Sequence, residues 1–166
     1  MRRARPSDAA AIAAVHTQSW QAAYEHVFGA ERLLTIDTER RSRWWERTIA
    51  EGTGTVLVAE HEAKVVAFVS VGASRDADAD GELHAIYALP QAWGTGAGPA
   101  LMAAGIEALR VAGHREAILY VLEDNPRARR FYEREGWSTD GTTKTDEFLG
   151  VPVREVRYRR LLRPIK

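Results

Sequence analysis

Apolar positions near the start of the chain recur three and four residues apart. Ile12, Val15, Ser19, Trp20, Ala23 and Val27 fall on one stripe, which predicts an amphipathic helix from about Asp8 to about Tyr24. Ser7 is placed to cap it, with Asp8 in the first turn favouring the dipole. Ahead of it, Arg2 to Arg5 read as a short edge strand stopped by Pro6. Gly29 ends the next turn, and Glu31 to Ile36 read as a short helix. Asp37 then caps a helix carrying Trp44, Trp45 and Ile49, which Gly52 and Gly54 terminate. From Thr55 the pattern changes to β-branched runs. Thr55 to Glu60 and Val65 to Val71, joined by the turn His61-Glu62-Ala63-Lys64, predict a hairpin.

The second half alternates strand and helix. Leu83 to Leu89 is an apolar run that reads as a strand. It leads into Trp93-Gly94-Thr95-Gly96-Ala97-Gly98-Pro99-Ala100-Leu101-Met102, and Ala100 to Ala112 read as a helix closed by Gly113. Glu116 to Leu122 is almost wholly apolar, as a strand covered on both faces would be. Asn125-Pro126 opens a helix with Asn as cap and Pro at the first position. That helix carries Ala128, Phe131 and Tyr132 and ends at Gly136. Trp137 to Thr139 and Val151 to Leu162 read as closing strands. A β-α-β order around the glycines, with hairpins elsewhere, implies an α/β fold: a mixed sheet with helices on both faces.

Composition narrows the function. The 166 residues suit a single domain spanning 1–166. Lys plus Arg and Asp plus Glu each number 23, so no global field draws the chain to nucleic acid or to an anionic membrane. Without cysteine there is no disulfide, thiol nucleophile or Cys-ligated zinc, and a cytoplasmic location is favoured. No long apolar segment suggests a signal peptide or membrane span. His16, His26, His61, His84 and His114 lack metal-ligand spacing. The acids of Asp76-Ala77-Asp78-Ala79-Asp80-Gly81 are spaced like part of a calcium loop, but a strand follows at once, so a solvated loop and no metal are expected.

The glycine stretch carries the chemistry. A strand, a glycine-rich turn and a helix start make an anion site, because freed N–H groups and the helix dipole converge there. A Walker loop needs a Lys that this stretch lacks. A dinucleotide fingerprint fails in both registers, where Pro99 or Leu101 stands in the third glycine's place. A phosphate or pyrophosphate held by backbone is what remains.

The stretch resembles the pyrophosphate loop of the GCN5-related N-acetyltransferases, the GNAT superfamily, whose pattern is Gln/Arg-x-x-Gly-x-Gly/Ala. In the register set by Ala100-Leu101-Met102, Trp93 takes the Gln/Arg position and Gly96 and Gly98 are the glycines. A second register uses Gln91, Gly94 and Gly96. Asn125-Pro126-Arg127-Ala128-Arg129-Arg130-Phe131-Tyr132, running on to Gly136-Trp137, resembles the family's Asn-x-x-Ala-x-x-Phe-Tyr-x-x-x-Gly-Phe. Arg5-Pro6-Ser7-Asp8 before an Ala-rich helix, and the Val58 to Phe68 hairpin, are also similar to the family.

The resemblance implies the GNAT fold and acetyl transfer from acetyl-CoA to a primary amine, on a small molecule or a peptide, by direct attack on the thioester. It implies Tyr132 as the acid for the departing thiolate and Glu82 as the base, acting through water; His84, which shares its face at period two, and a water chain are the alternatives. For the cofactor it implies Ile86, Tyr87 and Ala88 along pantetheine, Trp93 and the backbone of Gly94, Thr95, Gly96, Ala97, Gly98 and Pro99 around the pyrophosphate, and the Asn125 side chain on pantetheine. Arg127, Arg129 or Arg130 would meet the adenosine 3′-phosphate or simply form a solvated helix face. Trp20, Tyr24 and His84 would border the acceptor, with Trp44 and Trp45 as further candidates. A non-catalytic acyl-CoA-binding module is the alternative function, and homodimerisation through Val151 to Leu162 stays open.

Overall fold

Residues 1–163 are described by the computed structural model. The chain runs β1 (Arg2–Arg3), α1 (Ala9–Ala23), α2 (Glu25–Phe28), α3 (Ala30–Leu33), α4 (Thr38–Glu51), β2 (Thr55–His61), β3 (Lys64–Ala73), β4 (Gly81–Ala88), α5 (Ala97–Val111), β5 (Glu116–Leu122), α6 (Pro126–Arg134), β6 (Ser138–Phe148) and β7 (Val151–Leu161). Seven strands form one sheet in the order β1-β2-β3-β4-β5-β7-β6. Every neighbouring pair is antiparallel except β4 and β5.

Helices cover both faces. On one, α5 sets Leu101, Met102, Ile106 and Leu109 against Val69, Val71 and Leu83, and α6 adds Phe131 and Tyr132. Leu101 and Met102 have no exposed surface, and truncating either to Ala would cost about 2–5 kcal/mol. Gly105 lets α5 lie close on β3, because an added Cβ would come 3.2 Å from Val71 Cγ1. On the opposite face, Ile12, Ala13, Val15 and Trp45 of α1 and α4 cover Val56, Val58 and Phe68. Trp20, Tyr24, Phe28 and Leu33 form a third cluster with Leu122 and Val153.

Two helix starts follow their sequence signals. Asp37 Oδ1 accepts the Arg40 N–H at 2.9 Å, and Asn125 Oδ1 accepts the Ala128 N–H at 3.1 Å. Ser7 does not cap α1. A 3-10 turn over Pro6–Asp8 comes first, and Asp8 takes the Arg5 N–H at 2.7 Å and the Arg2 guanidinium at 2.8 and 2.9 Å. A bidentate, charge-assisted pair outcompetes a serine hydroxyl.

Other boundaries move for local reasons. Val27 sits in the separate turn α2, because α1 ends at Tyr24. The short helix expected at Glu31 to Ile36 is Ala30–Leu33, and Thr35 Oγ1 closes it on the Arg32 carbonyl at 2.6 Å. Helix α5 begins inside the glycine stretch, at Ala97, rather than at Ala100. The strand expected at Trp137 to Thr139 runs from Ser138 to Phe148. It is an exposed polar edge strand with no apolar alternation to reveal it.

Candidate active site

Strands β4 and β5 pair only at Gly81↔Ala117 and Glu82↔Ile118, and beyond these two rungs they part. The cause lies in β4. Leu83 pairs with Val71 and Ala85 with Ser70, so His84 is an extra residue bulged from the ladder. A bulge bends its strand and shifts the alternation by one. Leu83 therefore packs toward α5, Ala85 and Tyr87 toward α1 and α4, and Ile86 and Ala88 toward α5 again. Leu89 N–H bonds the Val66 carbonyl at 2.9 Å. Antiparallel alternation then turns the backbone groups of Tyr87 to β3, and those of Ile86 and Ala88 into the opening.

A cavity of about 920 Å³ passes through this opening from one face of the sheet to the other. Its α5/α6 mouth is lined by Trp93, Gly94, Gly96, Gly98, Pro99 and Arg127. Gly96 is the N-cap of α5 at φ +90 with no side-chain cap, a conformation that favours glycine. Among the described residues, the N–H groups of Gly94, Gly96, Ala97 and Gly98 meet no backbone carbonyl across the loop. These donors, at a positive helix end, fit a diphosphate. The Trp93 indole N–H bonds the Ala88 carbonyl at 2.9 Å, and the Arg127 guanidinium lies 3.6 Å over its ring. That cation stands beside the anion site.

The opposite mouth is lined by His16, Trp20, Arg41 and Trp44, with Arg75, Glu82, His84, Tyr120, Lys144, Asp146, Phe148 and Glu155 around its throat. Glu82 is 1% exposed. It accepts Arg75 Nε at 2.9 Å, a further Arg75 guanidinium contact, and approaches His84 Nδ1 at 2.9 Å. Burial alone would raise this carboxyl, but the bonds from His84 and Arg75 outweigh it and hold it at about 2. Tyr120 donates its hydroxyl to Asp76, and burial followed by that bond pushes the phenol up to about 12. The acidic loop is tied down by arginines. Arg157, itself buried, reaches Asp76 at 2.9 Å, Asp78 at 2.8 Å and Asp140 at 2.7 Å.

A sequence model of the Acetyltransferase (GNAT) family matches residues 14–137. The chain belongs to this family. Its members are acetyl-CoA-dependent acyltransferases. Among relatives, the "Uncharacterized N-acetyltransferase YuaI" of Bacillus subtilis is 31% identical over 160 residues, covering 94% of this chain and 89% of that protein. The crystal structure of a ribosomal-protein-alanine N-acetyltransferase from Brucella melitensis superposes with a TM-score of 0.75 at 26% identity, covering 97% of this chain and 98% of that one. The fold is also that of yncA from Salmonella typhimurium, solved with acetyl-CoA (TM-score 0.72, 22% identity, 99% and 94% coverage).

The structure brings most of the residues singled out from the sequence to this cavity, and corrects several. Tyr132 lines it at 8% exposure, and burial raises its phenol well above the ordinary value. Among the described residues its hydroxyl makes no hydrogen bond. Tyr87 lines the cavity with its side chain only, since its backbone is paired to β3. The Asn125 side chain is committed, with Oδ1 to the cap and Nδ2 to the Tyr24 hydroxyl at 3.0 Å. Its second N–H and the second lone pair of Oδ1 remain for a ligand. Thr95 turns its hydroxyl to the Ala92 carbonyl at 2.6 Å, and its backbone N–H bonds the same carbonyl at 3.3 Å.

Arg129 bonds Tyr158 and the Glu123 carbonyl, and Arg130 is exposed and outside the cavity lining. The nearby arginine that does line it is Arg134, besides Arg127. Trp20 and Tyr24 reach the cavity from below, as buried members of the third cluster. Trp44 is exposed at its rim, and Trp45 lines it as a buried member of the α1/α4 core. Arg41 and Glu155 also line the cavity, and neither stands out in the sequence. One of four arginines on α4 and a Glu within the charged strand 154–160 read as surface. Only the strand's alternation, with Val153 and Glu155 on one face and Val156 on the other, carries a signal.

Proposed function

We propose that the chain transfers an acetyl group from acetyl-CoA to a primary amine, entering from opposite mouths of the one cavity. The observation that carries this reading is the parting of β4 from β5 at the His84 bulge, with uncapped N–H groups at one mouth and, at the other, the buried Glu82 carboxylate holding the more exposed His84 imidazole. Gly94, Gly96, Ala97 and Gly98 hold the diphosphate through backbone N–H groups, and Arg127 adds charge beside it. Ile86 turns both backbone groups to the pantetheine arm and Ala88 its N–H, since the Ala88 carbonyl already accepts from Trp93 and Ser19; the Ile86 N–H is the donor for the thioester carbonyl.

The thioester supplies an activated acetyl group. The amine must arrive neutral, so its ammonium first gives a proton to His84, held in orientation by ionised Glu82. Glu82 thus positions the imidazole rather than taking the proton itself. The amine nitrogen then bonds to the carbonyl carbon and the C–S bond breaks. The Tyr132 hydroxyl gives its proton to the leaving sulfur, and the excess proton on the newly acylated nitrogen passes through solvent to the tyrosinate, restoring the phenol.

A thermal-shift titration with acetyl-CoA, CoA, ATP and NAD, run side by side, tests the reading. A ligand at one hundred times its dissociation constant adds about 2.7 kcal/mol to folding stability. Shifts are expected with acetyl-CoA and CoA alone. A shift with ATP or NAD instead, or none, overturns the proposal.

A further inference from the structure

The acceptor side of the cavity holds two charged groups of opposite sign that, among the described residues, form no ion pair and leave a buried polar atom without a hydrogen bond. Arg41 of α4 lies with its guanidinium carbon 5.1 Å over the Trp20 ring. Its Nη1 is buried without a hydrogen bond, and among the described residues no carboxylate pairs with it. Burial lowers this guanidinium. Glu155 of β7 is 7% exposed, with Oε1 buried and unpartnered. Its cross-strand neighbour Lys144 lays its ammonium over the Tyr120 ring at 3.9 Å instead. Burial raises this carboxyl. Both groups line the one cavity, together with Tyr87.

Buried polar groups are ordinarily paired, and each one left unmade is destabilising. Two such groups of opposite sign in one cavity describe a ligand with the complementary pair. We propose that the acceptor is a small amine carrying its own carboxylate, of the α-amino-acid type, with the carboxylate on Arg41 and the ammonium docked by Glu155. The proposal rests on the acetyl-transfer reading above and names its acceptor class. The planar guanidinium fork matches a carboxylate. A dianionic phosphate would call for more than one free cation, and Arg75 is held by Glu82 and Lys144 lies over the Tyr120 ring. A polyamine or a lysine side chain would satisfy Glu155 but set a cation against Arg41, so the pair selects against those acceptors as well.

The test uses the full chain with saturating acetyl-CoA and thiol release as readout. A panel of L-amino acids is compared with the matching amines that lack the carboxylate, such as leucine with 3-methylbutylamine and phenylalanine with phenethylamine. Acetyl-CoA binding is titrated separately for every protein. At least one amino acid is expected to exceed its carboxylate-free twin in kcat/KM by about 10- to 100-fold, the size of one charge-assisted bond. Arg41→Gln should erase that preference, mainly through KM, and Glu155→Gln should weaken both twins alike. Unchanged acetyl-CoA affinity shows that each variant is folded.

Carboxylate-free amines turned over as well as their twins, or an Arg41→Gln variant that keeps the preference, overturn the acceptor assignment. So does a protein that binds acetyl-CoA yet acetylates neither series, and in that case the cofactor reading stands. Failure to bind acetyl-CoA removes both.

Discussion

His84 Nδ1 lies 2.9 Å from Glu82 Oε2, on a carboxylate that Arg75 also holds. A carboxyl kept at about 2 is ionised throughout the neutral range, so it orients the imidazole and cannot receive a proton there. Glu82→Gln is expected to cut kcat by about 10²-fold, the lower end of an acid–base contribution. His84→Gln should cut kcat by a similar factor, and the double variant by little more, because residues that act as one unit are not additive. Wild-type kcat in Glu82→Gln would remove the pair from the mechanism.

Tyr132 gives a cleaner separation of chemistry from stability. Its hydroxyl has no hydrogen bond to lose, while its ring is packed against Phe131 and Tyr158. Tyr132→Phe is therefore expected to leave the urea midpoint and the acetyl-CoA affinity nearly unchanged, within about 0.5 kcal/mol. Turnover should fall by about 10²-fold. Full turnover at saturating acetyl-CoA would take the acid role away from it.

His16 makes the fold acid-sensitive. It stacks on Tyr87 at 4.8 Å, meets Trp20, Trp45 and Phe68 edge-on, and buries Nδ1 without a partner. Burial, with Arg41 nearby, lowers it from 6.5 to about 3. Between those values the unfolded chain binds the extra proton and the folded one does not, so stability falls as pH falls through that window. His16→Phe keeps the stacking shape and removes the titration. Its denaturation midpoint should drop less than the wild type's between about pH 7 and about pH 5. Equal drops in the two proteins would place the acid sensitivity elsewhere.

Arg157 holds the β3–β4 loop to the last hairpin through three carboxylates. Removing it leaves Asp76 without a cation among the described residues, while Arg159 still reaches Asp78 at 3.1 Å and Asp140 at 3.3 Å. Arg157→Ala is expected to cost about 3 kcal/mol, the lower end for breaking a buried ion pair, read as a shift in urea midpoint at unchanged m-value. A loss below about 0.5 kcal/mol, as for an ordinary surface charge, would mean that the network merely decorates the surface.

The sequence makes some of this legible and hides the rest for physical reasons. Asn125-Pro126 and Asp37 announce helix starts because cap and φ requirements are local. The glycine stretch is readable as an anion loop for the same reason, down to a helix N-terminus without a capping side chain. The bulge at His84 is invisible, because period-two alternation carries Glu82, His84 and Ile86 onto one face and only the pairing with β3 breaks it. Glu155 looks like one more charge in a charged strand, since its burial depends on β5 and β6 lying on either side. Asn125 is half readable: its cap is local, whereas its bond to Tyr24 joins residues far apart in the chain.

The sheet order has a further meaning for how the protein is made. β7 is the last strand, yet it lies between β5 and β6. Until it has left the ribosome, β6 has no neighbour, and β5 offers a nearly wholly apolar strand with an open edge beyond its two rungs to β4. Such an edge is a template for pairing with another chain. Glu155 and Arg157 both ride on β7, so the acceptor side of the cavity and the tether of the acidic loop arrive together with the closing of the sheet. A chain stalled or cleaved ahead of Val151 is thus an aggregation hazard as well as an inactive enzyme, and the same late strand that completes the pocket removes the hazard.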